Sequence, residues 1–104
     1  MRRGEVWWAE QPEPIGRHPV LLLSRDEAYE VRNAVAIAQI TTNIRNIPVE
    51  VLLEEKDGLP QKCIVNLDTI TTIRKSILTE RICSLSPEKI EQVDKAIKFA
   101  LALE

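Results

Sequence analysis

The sequence predicts a mainly β domain of the α+β class, a small barrel-like sheet of short strands closed by one C-terminal helix. Three observations carry this. Short apolar or β-branched runs recur along the chain, separated by Pro, Gly and Asp turn signals. Only the segment after Pro87 keeps helical spacing over several turns. The 104 residues, 44% apolar and 29% charged, suffice for one hydrophobic core, so 1–104 reads as a single domain.

Each element follows from its residues. Glu5-Val6-Trp7-Trp8-Ala9 is an aromatic-rich strand ended by a loop with Pro12 and Pro14. Pro19 to Ser24 is a continuous apolar run, too short for a helix, and reads as a buried strand. Arg25 to Asn33 is polar, a connecting loop or a short helical turn. Ala34 to Ile40 is apolar on both faces, as suits a central strand. Val49, Val51 and Leu53 alternate with Glu50, Leu52 and Glu54, giving a half-exposed strand. The Asp57-Gly58 turn leads to a strand over Lys62 to Leu67, with others over Ile70 to Leu78 and Arg81 to Leu85.

Ser86 then caps a helix with Pro87 at its first position and Glu88 at the positive end of its dipole. Ile90, Val93, Ile97 and Leu101 form the stripe expected to cover the sheet. Ala96, Phe99, Ala100 and Leu103 form a second stripe. One small barrel needs only one stripe covered, so the second is expected to meet a partner.

Charge and cysteines narrow the function classes. The net charge is −2, with 14 basic and 16 acidic residues spread evenly over both halves. That argues against a protein coating nucleic acid non-specifically, which needs a broad basic field. A local basic cleft stays open, because charges act within a Debye length of about 8–10 Å. Indeed no acid occurs between Val31 and Val49, which hold Arg32 and Arg45, nor between Thr69 and Thr79, which hold Arg74 and Lys75. Cys63 and Cys83 form no CxxC pair and His18 is the one histidine, so no structural zinc and no cofactor are expected, only two buried thiols. Glu5 and Glu10 interrupt any signal-like start, and no apolar run reaches the length of a membrane span, so the expected location is cytoplasmic.

Three segments place polar groups at strand ends. Gly16-Arg17-His18-Pro19 brings a permanent cation and a titratable imidazole together, suited to binding phosphate and moving a proton, or else is a solvated loop. Gln39-Ile40-Thr41-Thr42-Asn43 ends the most apolar strand; Thr41 can donate to a phosphate oxygen, or the segment is an ordinary strand end and turn. Asn66-Leu67-Asp68-Thr69-Ile70 holds a carboxylate in an apolar stretch, either orienting a cation or base or capping a turn. Asp68 has no companion carboxylates, so metal-dependent nuclease chemistry is not expected.

Taken in order, Arg3-Gly4-Glu5-Val6-Trp7, His18-Pro19-Val20-Leu21-Leu22-Leu23-Ser24, Ile40-Thr41-Thr42-Asn43, Asp68-Thr69-Ile70-Thr71-Thr72-Ile73 and Leu78-Thr79-Glu80-Arg81-Ile82 resemble the MazF/PemK (Kid) family of toxin–antitoxin ribonucleases. Leu85-Ser86-Pro87-Glu88 matches as well, and the resemblance runs from about Arg3 to Leu103. It implies an SH3-like barrel with a C-terminal helix, a homodimer, and metal-independent cleavage of single-stranded RNA at short sequences. It also implies neutralisation by a cognate antitoxin through an acidic or amphipathic peptide segment. Thr41 matches a threonine that supports catalysis in the family, and Asp68 a carboxylate beside the scissile group. Where the family has Arg before the proline this chain has His18, and its Glu10–Arg17 loop is shorter than in many members.

The expected chemistry is in-line attack of a 2′-hydroxyl, leaving a cyclic phosphate and a 5′-hydroxyl. His18 would transfer the proton, Arg17 clamp the phosphate and Thr41 donate to a non-bridging oxygen. Asp68, Thr69, Thr42, Asn43, Arg45 and Arg74 would bind the RNA. Two alternatives share the fold: a gyrase poison of the CcdB type, and an inactive barrel that only binds RNA or a partner. The first relies on a Trp-bearing C-terminal tip, whereas here the tryptophans are Trp7 and Trp8.

Overall fold

In the computed structural model, which describes residues 1–104, the chain forms six strands and two helices. They are β1 (Glu5–Glu10), β2 (Arg17–Leu22), α1 (Ala28–Val31), β3 (Ala34–Thr41), β4 (Glu50–Leu53), β5 (Cys63–Arg74), β6 (Leu78–Ser84) and α2 (Pro87–Ala100). The strands make one sheet in the order β4-β5-β3-β2-β1-β6, each pair antiparallel. The sheet curls into a half-barrel with β4 and β6 at its edges.

Alternation along β3 explains two core clusters. Val35 and Ile37 point to one face, among Ala9, Val20, Leu22, Tyr29 and Leu78. Ala38 and Ile40 point to the other, among Val6, Leu21, Leu53, Val65 and Leu67. A strand buried on one face in its first half and on the other in its second is apolar along most of its length, as Ala34–Ala38 and Ile40 are.

α2 closes the second of these clusters. Ser86 Oγ accepts from the Lys89 N–H at 3.2 Å, and Pro87 fills the first turn, as the sequence indicates. Val93 and Ala96 are buried, with Ile90, Ile97 and Ala100 packed beside them. Fully burying Val93 contributes about 1.5–3 kcal/mol. Two stripe assignments are corrected. Ala96 and Ala100 join the covered face, because 93, 96, 97 and 100 are the positions one helical face presents. Leu101, expected in the core stripe, is 55% exposed just beyond the helix end, beside Phe99 at 63% and Leu103 at 57%.

The strand boundaries are corrected too. The strands expected over 62–67 and 70–78 are one bent strand, β5, which ends at Arg74. Ala38 pairs with Ile70 but Gln39 with Asn66, so Leu67, Asp68 and Thr69 form a bulge against β3. Asn66 shapes it: its Oδ1 accepts from the Asp68 N–H at 2.9 Å, and its carbonyl accepts from Thr69 Oγ1 at 2.7 Å. Leu67 stays paired across the other edge, donating its N–H to the Val49 carbonyl at 2.9 Å. A 3₁₀ turn over Lys75–Ile77 then leads into β6.

The segment between β4 and β5 matters most for the site. It makes a 3₁₀ turn at Glu55–Asp57 and reverses at Gly58, whose φ is +104°. A Cβ at Gly58 would lie 2.5 Å from Cys83 Cβ, so only glycine lets this loop sit down on β6. Leu59 is buried beneath it. From the other side, Lys89 Nζ of α2 donates to the Leu52 carbonyl at 2.6 Å and faces Asp57 Oδ2 at 3.8 Å.

Candidate active site

A cavity of about 290 Å³ opens where the ends of β2 and β3 meet this loop. His18, Thr41 and Thr42 line it together with Trp8, Arg17 and Pro19 and with Leu59, Pro60 and Gln61 of the loop. Strand register explains who faces whom. Leu22, Leu21 and Val20 pair with Ile37, Ala38 and Gln39; beyond this last pair His18 and Thr41 continue the two strands to the cavity that both line. Both side chains project on the face that holds Val20 and Gln39.

Arg17 belongs to the opposite face, with its cross-strand partner Glu10 and with the Trp8–Pro19 pair. Its Nε donates to Glu10 Oε1 at 3.0 Å, and its Nη2 lies 3.9 Å from Glu80 Oε1. The guanidinium centre lies 4.2 Å from the Trp8 ring centroid. Arg17 and His18 therefore reach one cavity from two sides of β2, the arginine with its charge already answered by carboxylates.

The structure brings together His18, Arg17, Thr41 and Thr42. Thr41 Oγ1 accepts the Asn43 N–H at 3.2 Å, leaving its own proton to donate. Asn43 and Arg45 lie in the exposed loop beyond β3, which Glu50 Oε1 holds by accepting the Arg45 and Asn46 N–H groups at 2.9 and 2.8 Å. Asp68 and Thr69 are exposed on the bulge, outside the cavity. Arg74 is not brought to it: Arg74 pairs with Ala34, seven residues from Thr41 along β3, roughly 23 Å away at strand rise.

Sequence reasoning missed Leu59, Pro60 and Gln61 as a wall. The Gly58-Leu59-Pro60 turn was visible, but not that it folds back over the strand ends. It also gave no role to Gln11 and Gln39. Gln39 Nε2 donates to Gln11 Oε1 at 2.7 Å and Gln11 Nε2 to Gln39 Oε1 at 3.1 Å, a reciprocal amide pair that ties the β1–β2 loop to β3 two residues before Thr41. The one available signal was a glutamine inside an apolar strand. The loop itself is tight, with the Gln11 N–H donating to the Gly16 carbonyl at 3.0 Å.

Cys63 also touches the cavity, but burial pushes its thiol up to about 11, so it is no nucleophile at neutral pH. Burial, and then the Asp57 carboxylate, raise Cys83 as well. No three His, Cys, Asp or Glu side chains converge in a metal-binding group. No helix is long and apolar enough to cross a membrane.

Comparison with known proteins matches this architecture from end to end. A Mycobacterium tuberculosis protein described as probable endoribonuclease MazF5 is 38% identical over 100 residues, covering 95% of this chain and 91% of its own. Endoribonuclease EndoA of Bacillus subtilis is 30% identical over 111 residues, covering 99% and 96%. A mycobacterial endoribonuclease solved with its cognate antitoxin superposes with a TM-score of 0.89 at 27% identity, over 100% of this chain and 97% of that one. Residues 2–101 match the family model described as PemK-like, MazF-like toxin of type II toxin–antitoxin system, and this chain belongs to that family.

Proposed function

We propose that the chain is an endoribonuclease toxin that cuts single-stranded RNA at short sequences without a metal ion. The observation that carries this is the meeting of His18 and Thr41 in one open cavity on a fold whose relatives are named endoribonucleases. Cleavage by the neighbouring 2′-hydroxyl needs proton transfer and stabilisation of the charge that builds on phosphorus. His18, exposed at the cavity, transfers the proton. The Thr41 hydroxyl donates to a non-bridging oxygen. Arg17 adds positive potential at the cavity mouth, tempered by Glu10 and Glu80.

Thr42, Asn43 and Arg45 follow Thr41 directly and extend the contact surface for the RNA beyond the cavity. Asp68 and Thr69 on the bulge do so from β5. Arg74 joins the RNA only if the strand runs the length of β3. The exposed Phe99, Leu101 and Leu103 after the covered face of α2 support a homodimer. An antitoxin partner follows from the family and from the solved neighbour bound to its cognate antitoxin. Such a toxin acts in the cytoplasm, where its RNA is.

The test is incubation of a defined RNA with purified protein in excess EDTA, followed by end analysis. Fragments with cyclic phosphate and 5′-hydroxyl ends are expected, with His18→Ala and Thr41→Ala each slowed by about 10²-fold or more. Complete loss of cutting in EDTA, or full activity in both variants, refutes the reading.

A further inference from the structure

We propose that the Trp8 side of the cavity is a nucleobase slot: a base beside the cut bond stacks on the Arg17 guanidinium, which Trp8 backs, and its edge is read by Gln61. This rests on the ribonuclease reading above and gives Arg17 a role beyond the potential it adds there.

Arg17 is the starting point. An arginine meant to clamp phosphate keeps its charge free, yet this one is shared between Glu10 at 3.0 Å and Glu80 at 3.9 Å. Its guanidinium carbon instead lies over the Trp8 indole, 4.2 Å from the ring centroid. The inner face is thus covered by Trp8, while the side chain stays 48% exposed. A planar, delocalised cation seated over an indole is a surface on which a base stacks.

The loop after Gly58 supplies the rest of the lining. Pro60 and buried Leu59 are apolar, and exposed Gln61 carries an amide with one acceptor and two donors. The wall is fixed before any ligand arrives, by Gly58 seated on Cys83 and by Asp57 held against Lys89. A slot built in advance loses little order on binding. His18 and Thr41 line the same cavity, so a base seated here belongs to a nucleotide next to the scissile phosphate.

The experiment uses a randomised single-stranded RNA pool, sequencing the 5′ ends made by wild type, Arg17→Lys, Gln61→Ala and Gln61→Glu. Arg17→Lys keeps the charge and removes the plane, so it separates a stacking role from a clamp. It is expected to lower kcat/KM about 5- to 150-fold, the range for one lost base stack. Gln61→Ala is expected to spread cutting over several bases at one position flanking the cut. Gln61→Glu, which only accepts, is expected to move that position away from uracil and toward guanine, cytosine or adenine, whose amino groups donate.

A second readout does not depend on cutting: quenching of Trp8 fluorescence in a Trp7→Phe background by 2′-O-methyl RNA, compared with the same strand made abasic. Full activity in Arg17→Lys with unchanged base frequencies in both Gln61 variants overturns the slot. Equal quenching by the intact and abasic strands does so too. Quenching by bases alone in a wild type that never cuts keeps the slot and overturns the ribonuclease reading.

Discussion

Removing the Lys89 ammonium tests how the cavity wall is held. In Lys89→Met the aliphatic stem remains and packs as before, so the change isolates the charge and its bonds. The lysine is only 15% exposed and Asp57 10%. Two things are lost: a charged hydrogen bond to the Leu52 carbonyl at 2.6 Å and the attraction to Asp57 Oδ2 at 3.8 Å. A hydrogen bond to a charged group contributes about 1.5–3 kcal/mol. Breaking a fully buried ion pair costs about 3–5 kcal/mol, which is too much here. At 3.8 Å the ions are not hydrogen-bonded, and Asp57 Oδ2 still accepts the Glu54 N–H at 2.8 Å.

The expected loss is therefore about 2–3 kcal/mol. For a domain near 100 residues each kcal/mol lowers Tm by about 4–8 °C, so the midpoint should fall by roughly 10–20 °C. Thermal and urea unfolding at one fixed protein concentration measure it, since an oligomer's Tm depends on concentration. Asp57→Asn and the double variant complete a cycle, with about 1 kcal/mol of coupling expected. A Lys89→Met midpoint within about 2 °C of wild type would show that the pair is an incidental surface contact, and that the wall is held some other way.

Three further outcomes are expected. Gly58→Ala should lose about 2–4 kcal/mol in urea unfolding, from a positive φ and the contact with Cys83 Cβ; Cys83→Ala, which keeps that Cβ, should not rescue it, and rescue would refute the steric account. Gln11→Leu should leave the Gln39 amide without its partner, lowering stability by about 1–3 kcal/mol and slowing RNA cutting through a loosened β1–β2 loop; unchanged values in both would remove the amide pair from the site's support. Cys63, held protonated by burial, should make stability fall as pH rises: the unfolded thiol ionises from about 9 and the folded one only near 11, so stability present below 9 is lost across that window. Urea midpoints from pH 8 to 11 should drop less steeply in Cys63→Ala; Tyr29, also raised by burial to about 12, adds the same sign higher up.

How much of this was legible in the sequence differs by kind of signal. Local signals read well: Ser86-Pro87-Glu88 opens the helix as expected, and the two-faced apolar run at Ala34–Ile40 is the strand that serves both cores. The meeting of His18 and Thr41 was within reach, because both lie at the ends of strands that neighbour each other. Non-local geometry was not legible. Nothing in Leu67-Asp68-Thr69 marks a bulge until β3 is known to lie alongside, so β5 read as two strands. Arg17 looked like a free cation because its partners, Glu80 above all, arrive from a distant strand. Arg74 looked basic and near because sequence shows charge runs, not which end of β3 they reach. The wall at Leu59–Gln61 depends on a glycine touching Cys83, 25 residues on.

That last dependence orders events during synthesis. The loop that walls the cavity emerges well before β6 and α2, the two elements that hold it. β1, at the start of the domain, likewise has no outer neighbour until β6 pairs with it, Glu5 against Ser84. A growing chain that has passed Arg74 thus carries His18 and Thr41 on a sheet with one wall loose and one core open. Long-range closure of this kind is slow compared with helix formation. The loop beside the pocket gains its last support, Lys89 against Leu52 and Asp57, only when the helix docks.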